Sequence, residues 1–260
     1  MKKLSVVIIA RNEEANISRC LESVQWADEI IVGDSGSDDR TVPIAQSYSA
    51  KIVTYVWRGF GPAKQIVTDH AEGEWILSID ADEEVTSDLA DEIRAAIADS
   101  GGIVGFRLPR RTQFLGRWIA HGGWYPDLVL RLYRRGRGRF TDAHVHEEVL
   151  VDGPTGCLGH DLLHYSYPNL DVYLDKLNKY TTLAAEDALR RGQTAGPARI
   201  IFNPLAKFLK QYILRAGFLD GREGLLLAVL SAGYVMTKYA KLWDLRRGRI
   251  RSRSKSDAGD

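Results

Sequence analysis

The sequence predicts an α/β fold: an open, mostly parallel sheet with helices on both faces, followed by a helical appendage. Three observations carry this. Short apolar runs rich in β-branched residues alternate with helically spaced segments through the first hundred residues. These runs end in polar, mostly acidic stretches, and beyond residue 165 only helical patterns follow.

Leu4 to Ala10 reads as the first strand. Arg11-Asn12-Glu13-Glu14 cuts that apolar run with no small-residue cleavage site, so it is a buried strand rather than a secretory signal. Asn12 is a candidate helix cap, and Ile17, Leu21 and Val24 follow at helical spacing. Glu29 to Gly33 predicts a second strand, Ser37 or Asp38 a cap for a helix to about Ser49, and Lys51 to Val56 a third strand. Pro62 suits a first helical turn in a helix reaching about Ala71. Trp75 to Asp80 is the fourth strand, and a helix spans Ser87 to Ala98. The middle of the chain is rich in Gly, Arg, His and aromatics, with strand-like pieces at Gly105 to Pro109, Val129 to Tyr133 and Val145 to Val151. Helices are expected at Leu170 to Arg191, Ile201 to Ala216 and Gly224 to Trp243, and the charged, Ser-rich stretch 246–260 as a disordered basic tail.

With 260 residues, of which 45% are hydrophobic, the chain can bury a sizeable core. A formal net charge of +1 argues against nucleic acid as a partner. The charge is uneven: acidic residues crowd the first hundred positions and basic ones the stretch after Arg199. Two cysteines, Cys20 in a helix and Cys157 in a loop, provide neither a disulfide framework nor zinc spacing and fit a reducing compartment.

Ligands of open α/β sheets bind beyond the carboxyl ends of the strands. Those ends deliver Ala10-Arg11-Asn12-Glu13, Asp34-Ser35-Gly36-Ser37-Asp38 and Asp80-Ala81-Asp82-Glu83-Glu84 to one edge. Each segment alone could be turn and cap chemistry; their coincidence points to a site. Asp80 and Asp82 offer hard oxygens for Mg²⁺ or Mn²⁺, an ion able to bridge and neutralise a diphosphate.

Taken in order, Ser5-Val-Val-Ile-Ile-Ala-Arg-Asn-Glu-Glu14, Asp34-Ser-Gly-Ser-Asp-Asp-Arg-Thr41 and Ile79-Asp-Ala-Asp-Glu83 resemble glycosyltransferase family 2, inverting enzymes of the GT-A fold. The resemblance implies a nucleotide-sugar site in which Asn12 and Glu13 line the nucleotide pocket and Asp34 contacts the base, expected to be uracil. It also implies that Asp80 lies near ribose and phosphates while Asp82 holds the metal. Arg58 and Lys64 are candidates to offset phosphate charge, with surface solvation as the plain reading of each. Gly122-Gly-Trp-Tyr-Pro-Asp-Leu-Val-Leu-Arg-Leu-Tyr133 and His144-Val-His-Glu-Glu148 are similar to the lipopolysaccharide-core β-1,4-glucosyltransferase branch, which implies UDP-glucose as donor and a glycan or glycolipid acceptor. On this reading 1–165 is the catalytic domain, with a donor half 1–100 and an acceptor half 101–165, and 166–245 is a helical appendage at a membrane interface.

Single-displacement transfer needs a carboxylate to take the acceptor's proton. Asp127 is the candidate base, although Pro126 stands where the family has Glu, and Glu147 competes with it. His144 and His146 alternate as strand neighbours do, and either could complete the metal shell; the resemblance favours His146. Trp118, Trp124 and Tyr125 are platform candidates for sugar faces, with packing as the commoner role.

Leu225 to Met236 is apolar for about a dozen residues, short of the roughly 20 of a spanning helix. Phe202, Leu205, Phe208, Leu209 and Tyr212 instead recur at helical spacing beside Lys207, Lys210 and Arg215, the pattern of an interfacial helix. Lys238, Lys241, Trp243, Arg246 and Arg247 form a rim suited to anionic headgroups. These features predict a cytoplasmic protein on the inner face of the cytoplasmic membrane; the bland alternative is packing on another domain or subunit.

A haloacid-dehalogenase-type phosphatase shares Asp-x-Asp, but its signature ends a first strand and carries Thr or Val where Glu84 stands. A nucleotidylyltransferase would need a Gly-rich amino-terminal loop, and no Gly lies between Met1 and Ile31; the Rossmann glycine fingerprint is also missing. A non-catalytic, membrane-associated nucleotide-sugar binding protein is the remaining alternative.

Overall fold

The computed structural model describes residues 3–141 and 148–256. It divides into two units, Met1–Thr112 with Pro126–Ser166, and Gln113–Tyr125 with Tyr167–Asp260.

In the first unit, β1 (Leu4–Ala10), α1 (Ile17–Ser23), β2 (Glu29–Asp34), α2 (Thr41–Ser47), β3 (Lys51–Thr54), α3 (Phe60–Thr68) and β4 (Trp75–Asp80) follow the expected alternation. β5 (Glu83–Val85) and α4 (Ser87–Ala98) come next, with Thr86 capping α4 by accepting from Leu89 N. β6 spans Gly105–Phe114, and its last two residues belong with β7 (Arg117–Trp118), which pairs back on them, to the second unit. β8 (Asp127–Arg134), β9 (Gly138–Phe140), β10 (Val149–Val151), β11 (Thr155–Cys157) and β12 (Leu162–Tyr167) complete the strands described.

The sheet order is β3-β2-β1-β4-β8-β6-β12-β5. It is parallel from β3 through β4, then mixed, because β8 runs antiparallel to both β4 and β6 and β12 antiparallel to β5. Side-chain alternation loads both faces. Leu4, Val6 and Ile8 pack with Leu21 of α1 and Leu89 of α4, while Val7, Ile31 and Ile76 pack with Val67 of α3. A Cβ on Gly33 would collide with Val67, so glycine lets α3 lie close against β2.

Several local expectations change. Asn16, not Asn12, occupies the N-cap of α1; Asn12 takes a left-handed backbone (φ 55°) and its Oδ1 accepts from Asp38 N, so it braces the neighbouring loop. Ser37 and Asp38 precede α2 without capping it, and Asp39 accepts from Thr41 N instead. Cys157 lies in an exposed strand, β11, rather than a loop. β6 and β8 outrun the predicted pieces by several residues, because their outer ends pair with each other through Arg110 and Asp127.

In the second unit, α5 (Leu170–Arg190), α6 (Pro197–Leu209), a π-helical turn (Lys210–Leu214), a 3₁₀ turn (Gly217–Asp220) and α7 (Gly221–Ser256) follow in order. α7 stays helical through Ser256, into the stretch whose composition predicts disorder, since its Leu, Arg and Lys residues propagate a helix already nucleated. By length and composition alone the helical stretch Gly217–Arg247, the 3₁₀ turn with most of α7, is long and apolar enough to cross a membrane, beyond what the short apolar run at 225–236 suggests. α5 packs along α7: Tyr173 joins the cluster of Leu227, and Ala185 and Ala188 that of Leu242. Lys241, expected in a headgroup-facing rim, donates instead to Asn178, Thr181 and Thr182 of α5. Trp124 packs on Tyr167 at 5.9 Å and belongs to an aromatic cluster with Phe114 and Tyr173, the packing role rather than a platform.

Candidate functional site

The strand order reverses between β1 and β4, the point at which doubly wound sheets bind ligands. The carboxyl ends of β1, β2 and β4 meet there as expected. Asn12 N donates to Ser37 Oγ at 3.0 Å and Glu13 N to Thr41 Oγ1 at 2.8 Å, which ties the first loop to the second. Asp34 is buried, and its carboxylate accepts from Gly36 N, Ser37 N and the Ser37 hydroxyl, so it organises its own loop. Arg58 is exposed on the segment before α3.

Lys64 is far from the solvated surface residue of the plain reading. It is only 2% exposed, and its Nζ lies 2.7 Å from Asp80 Oδ1. The other Asp80 oxygen accepts from Arg131 Nη2 at 2.6 Å. Burial alone would raise the Asp80 carboxyl; Arg131 and then Lys64 more than reverse this and hold it well below the usual carboxylate range. Asp80 is therefore a fixed carboxylate with both oxygens committed to cations.

Glu83 is fully buried, and sequence inspection gives it no role beyond strand-end polarity. Its Oε2 accepts from Asp80 N at 2.8 Å, while its Oε1 accepts from Arg131 Nη2 at 2.7 Å and Arg110 Nη1 at 3.3 Å. Arg110 in turn reaches Asp127 Oδ2 through Nε at 3.0 Å and Nη2 at 2.6 Å. A chain of alternating charge thus runs Lys64, Asp80, Arg131, Glu83, Arg110, Asp127. Three cations meet three carboxylates, the condition under which charges can sit dry. Arg110 and Arg131 left no signal in a single sequence, because their partners lie on strands brought together only by the sheet.

Asp82 lies in the turn between β4 and β5. Tyr165 N donates to Asp82 O at 2.9 Å, and β12 sets His164 opposite Glu83 of β5. His164 Nε2 then lies 3.4 Å from Asp82 Oδ2. Its Nδ1 is engaged by Thr112 Oγ1 at 3.3 Å, which leaves Nε2 as the nitrogen for a ligand bond. Among the described residues no cluster of three or more His, Cys, Asp or Glu side chains is placed to enclose a metal. A carboxylate and an imidazole that converge, with diphosphate oxygens and water to complete the shell, nevertheless suit Mg²⁺ or Mn²⁺, which such sites hold through one or two protein groups. His144, His146 and Glu147 lie outside the described residues.

Burial, then Glu83, Asp82 and Asp80, push the Cys20 thiol well above its ordinary value, and its Sγ lies 3.5 Å from Asp80 O. Cys20 is accordingly a protonated core residue.

Comparison with known proteins yields a match of the glycosyl transferase family 2 profile to residues 5–152. The lipopolysaccharide core biosynthesis glycosyltransferase LpsC of Rhizobium meliloti is 33% identical over 252 residues, which covers 92% of this chain and 92% of that protein. A glycosyltransferase of Rickettsia typhi is 28% identical, covering 98% of this chain and 90% of that protein. Among solved structures, glucosyl-3-phosphoglycerate synthase from Mycobacterium tuberculosis, determined with Mn²⁺, UDP and glucosyl-3-phosphoglycerate, aligns at 28% identity and TM-score 0.38. That alignment covers 42% of this chain and 44% of the synthase, so the chain spans less than half of it.

Proposed function

The chain belongs to glycosyl transferase family 2 and is a glycosyltransferase; from that premise we propose an inverting, metal-dependent transfer of glucose from UDP-glucose to a lipopolysaccharide-core or other lipid-linked glycan. The observation that carries the reading is the separation of duties at one sheet edge. Asp82 converges with His164, a pair that would hold a metal, Asp80 is locked by cations, and Asp127 sits at the far end of the charge chain that begins at Lys64.

Asn12, Glu13 and Asp34 would receive the nucleotide, with Arg58 at the rim. Asp82 and His164 would hold Mg²⁺ or Mn²⁺, and His146 remains a candidate third group. The ion's contribution when bound is to neutralise charge on the departing diphosphate. Asp127 would take the proton of the acceptor hydroxyl as that oxygen attacks the anomeric carbon and UDP leaves from the opposite face. The acceptor class rests on the relative involved in lipopolysaccharide core biosynthesis.

The proposed location is the cytoplasmic face of a membrane, and the exposed apolar surface of the second unit supports the membrane-surface part of that reading. None of α6 is buried, and Phe202, Leu205, Ile213, Leu214, Phe218 and Leu219 all stand more than half exposed or close to it. So large an apolar surface marks an interface. Burial, then Arg215 and Lys210, push the Lys207 ammonium down, so three cations crowd one another beside that surface, as an anionic headgroup layer would favour. The polar helix α5 along one side of α7 argues that α7 lies in the interface rather than across it, since its charges would be costly in hydrocarbon.

Purified protein with Mn²⁺ should release UDP from UDP-glucose in the presence of a core-glycan acceptor, and both EDTA and Asp82→Ala should abolish this. Donor binding without turnover on any acceptor would favour the non-catalytic alternative. In a separate assay, Phe202→Ser with Leu205→Ser should release the protein from phosphatidylglycerol vesicles in co-sedimentation. Concentration-dependent dimerisation without vesicle binding would assign the surface to a second subunit instead.

A further inference from the structure

We propose that Arg110 is a positioning residue for Asp127, anchored from behind by the buried Glu83. The inference rests on the reading of Asp127 as proton acceptor. Arg110 and Asp127 face each other across β6 and β8, and a cross-strand ion pair alone would be an ordinary sheet contact. Two features exceed that. The guanidinium is gripped on a second edge by Glu83, whose other bonds go to Arg131 and to the backbone of Asp80, so Arg110 cannot swing with a mobile surface carboxylate. Both of its donors to Asp127 fall on Oδ2.

The consequence is directional. Asp127 is 44% exposed, and a half-exposed aspartate left to itself samples several rotamers. Clamped through Oδ2 by two N–H groups, it holds one orientation, and among the described residues no hydrogen bond is made to its Oδ1. Oδ1 is the oxygen left to meet an acceptor hydroxyl. Because Glu83 also takes the Asp80 backbone N–H, the proton-accepting end of the site is referenced to the β4–β5 turn that carries Asp80 and Asp82. Lysine could not substitute, since a single ammonium lacks the planar fork that serves two carboxylates at once.

The test is a double-mutant cycle on the full-length protein, with kcat measured at saturating donor and acceptor and donor Kd by titration. Arg110→Ala should lower kcat by about 100-fold, the order expected for a misplaced reacting group, while donor Kd stays within about two-fold. Free guanidinium should restore part of the lost kcat. Arg110→Lys should keep the melting temperature close to that of the native protein without recovering the rate, which keeps the test open should the alanine variant not fold. Arg110→Ala combined with Asp127→Asn should be no slower than Asp127→Asn alone, because Arg110 acts only through Asp127. Additive losses, or a weakened donor Kd with unchanged kcat, would overturn the proposal while leaving Asp127 as base. Full activity of Asp127→Asn would remove the reading on which the proposal stands.

Discussion

Asp127→Asn is expected to lower kcat for glycosyl transfer by about 10²- to 10⁴-fold, the contribution general base catalysis makes to such steps. The substitution is close to isosteric, and the amide oxygen can still accept from Arg110 Nε and Nη2, so the clamp on β6 and β8 survives. What is lost is the ability to take a proton. Donor Kd should therefore hold while kcat falls, the pattern of an interaction needed only in the transition state. Steady-state rates at saturating donor check this, with Glu147→Gln as the paired control. If Asp127→Asn keeps full rate and Glu147→Gln loses it, the base is Glu147, and Asp127 is a half-exposed sheet residue with an arginine partner.

The legible parts of this molecule were those whose chemistry is local in sequence. β1, β2 and β4 are apolar runs that end abruptly in polar residues, and α4 spans Ser87–Ala98 as its sequence predicts. Asp80 and Asp82 were readable because they follow such a run. The partners that give them their roles were not. Arg131 lies 51 residues from Asp80, and Arg110 lies 27 from Glu83; each becomes a neighbour only because β8 inserts antiparallel beside β4 and β6. His164 was hidden for the same reason, reaching Asp82 through the pairing of β12 with β5. β5 itself is three residues long inside an acidic string, too short for any periodicity to show. Lys64 looked solvated because lysine usually is, and it is buried because Asp80 gives it a counter-charge.

Glu83→Gln is expected to destabilise the fold by about 3–5 kcal/mol, the cost of breaking a buried ion pair by removing one partner. The amide oxygen can accept from Asp80 N or from the two arginines but not from both, so the change removes the charge together with at least one acceptor of this network. It leaves Lys64, Arg131 and Arg110 against only Asp80 and Asp127, in a region where Arg131 and Lys64 are almost wholly buried. Water cannot repay that excess charge as it does at the surface. The exposed pair Arg191 with Asp187, at 2.6 Å, makes the contrast: its loss should cost about 0–1 kcal/mol at most. Against a total stability of about 5–15 kcal/mol, the Glu83 change would consume a large share. Urea unfolding with an unchanged slope measures it directly, and a loss below about 1 kcal/mol would mean the charge chain is hydrated rather than dry. Acid provides the complementary signature. The Asp80 carboxyl is depressed, so its ionisation stabilises the native state fully above the ordinary aspartate value of about 3.9, and that contribution fades only as pH falls through the lowered native value. Asp80→Asn should abolish this component, flattening the acid limb of the unfolding profile.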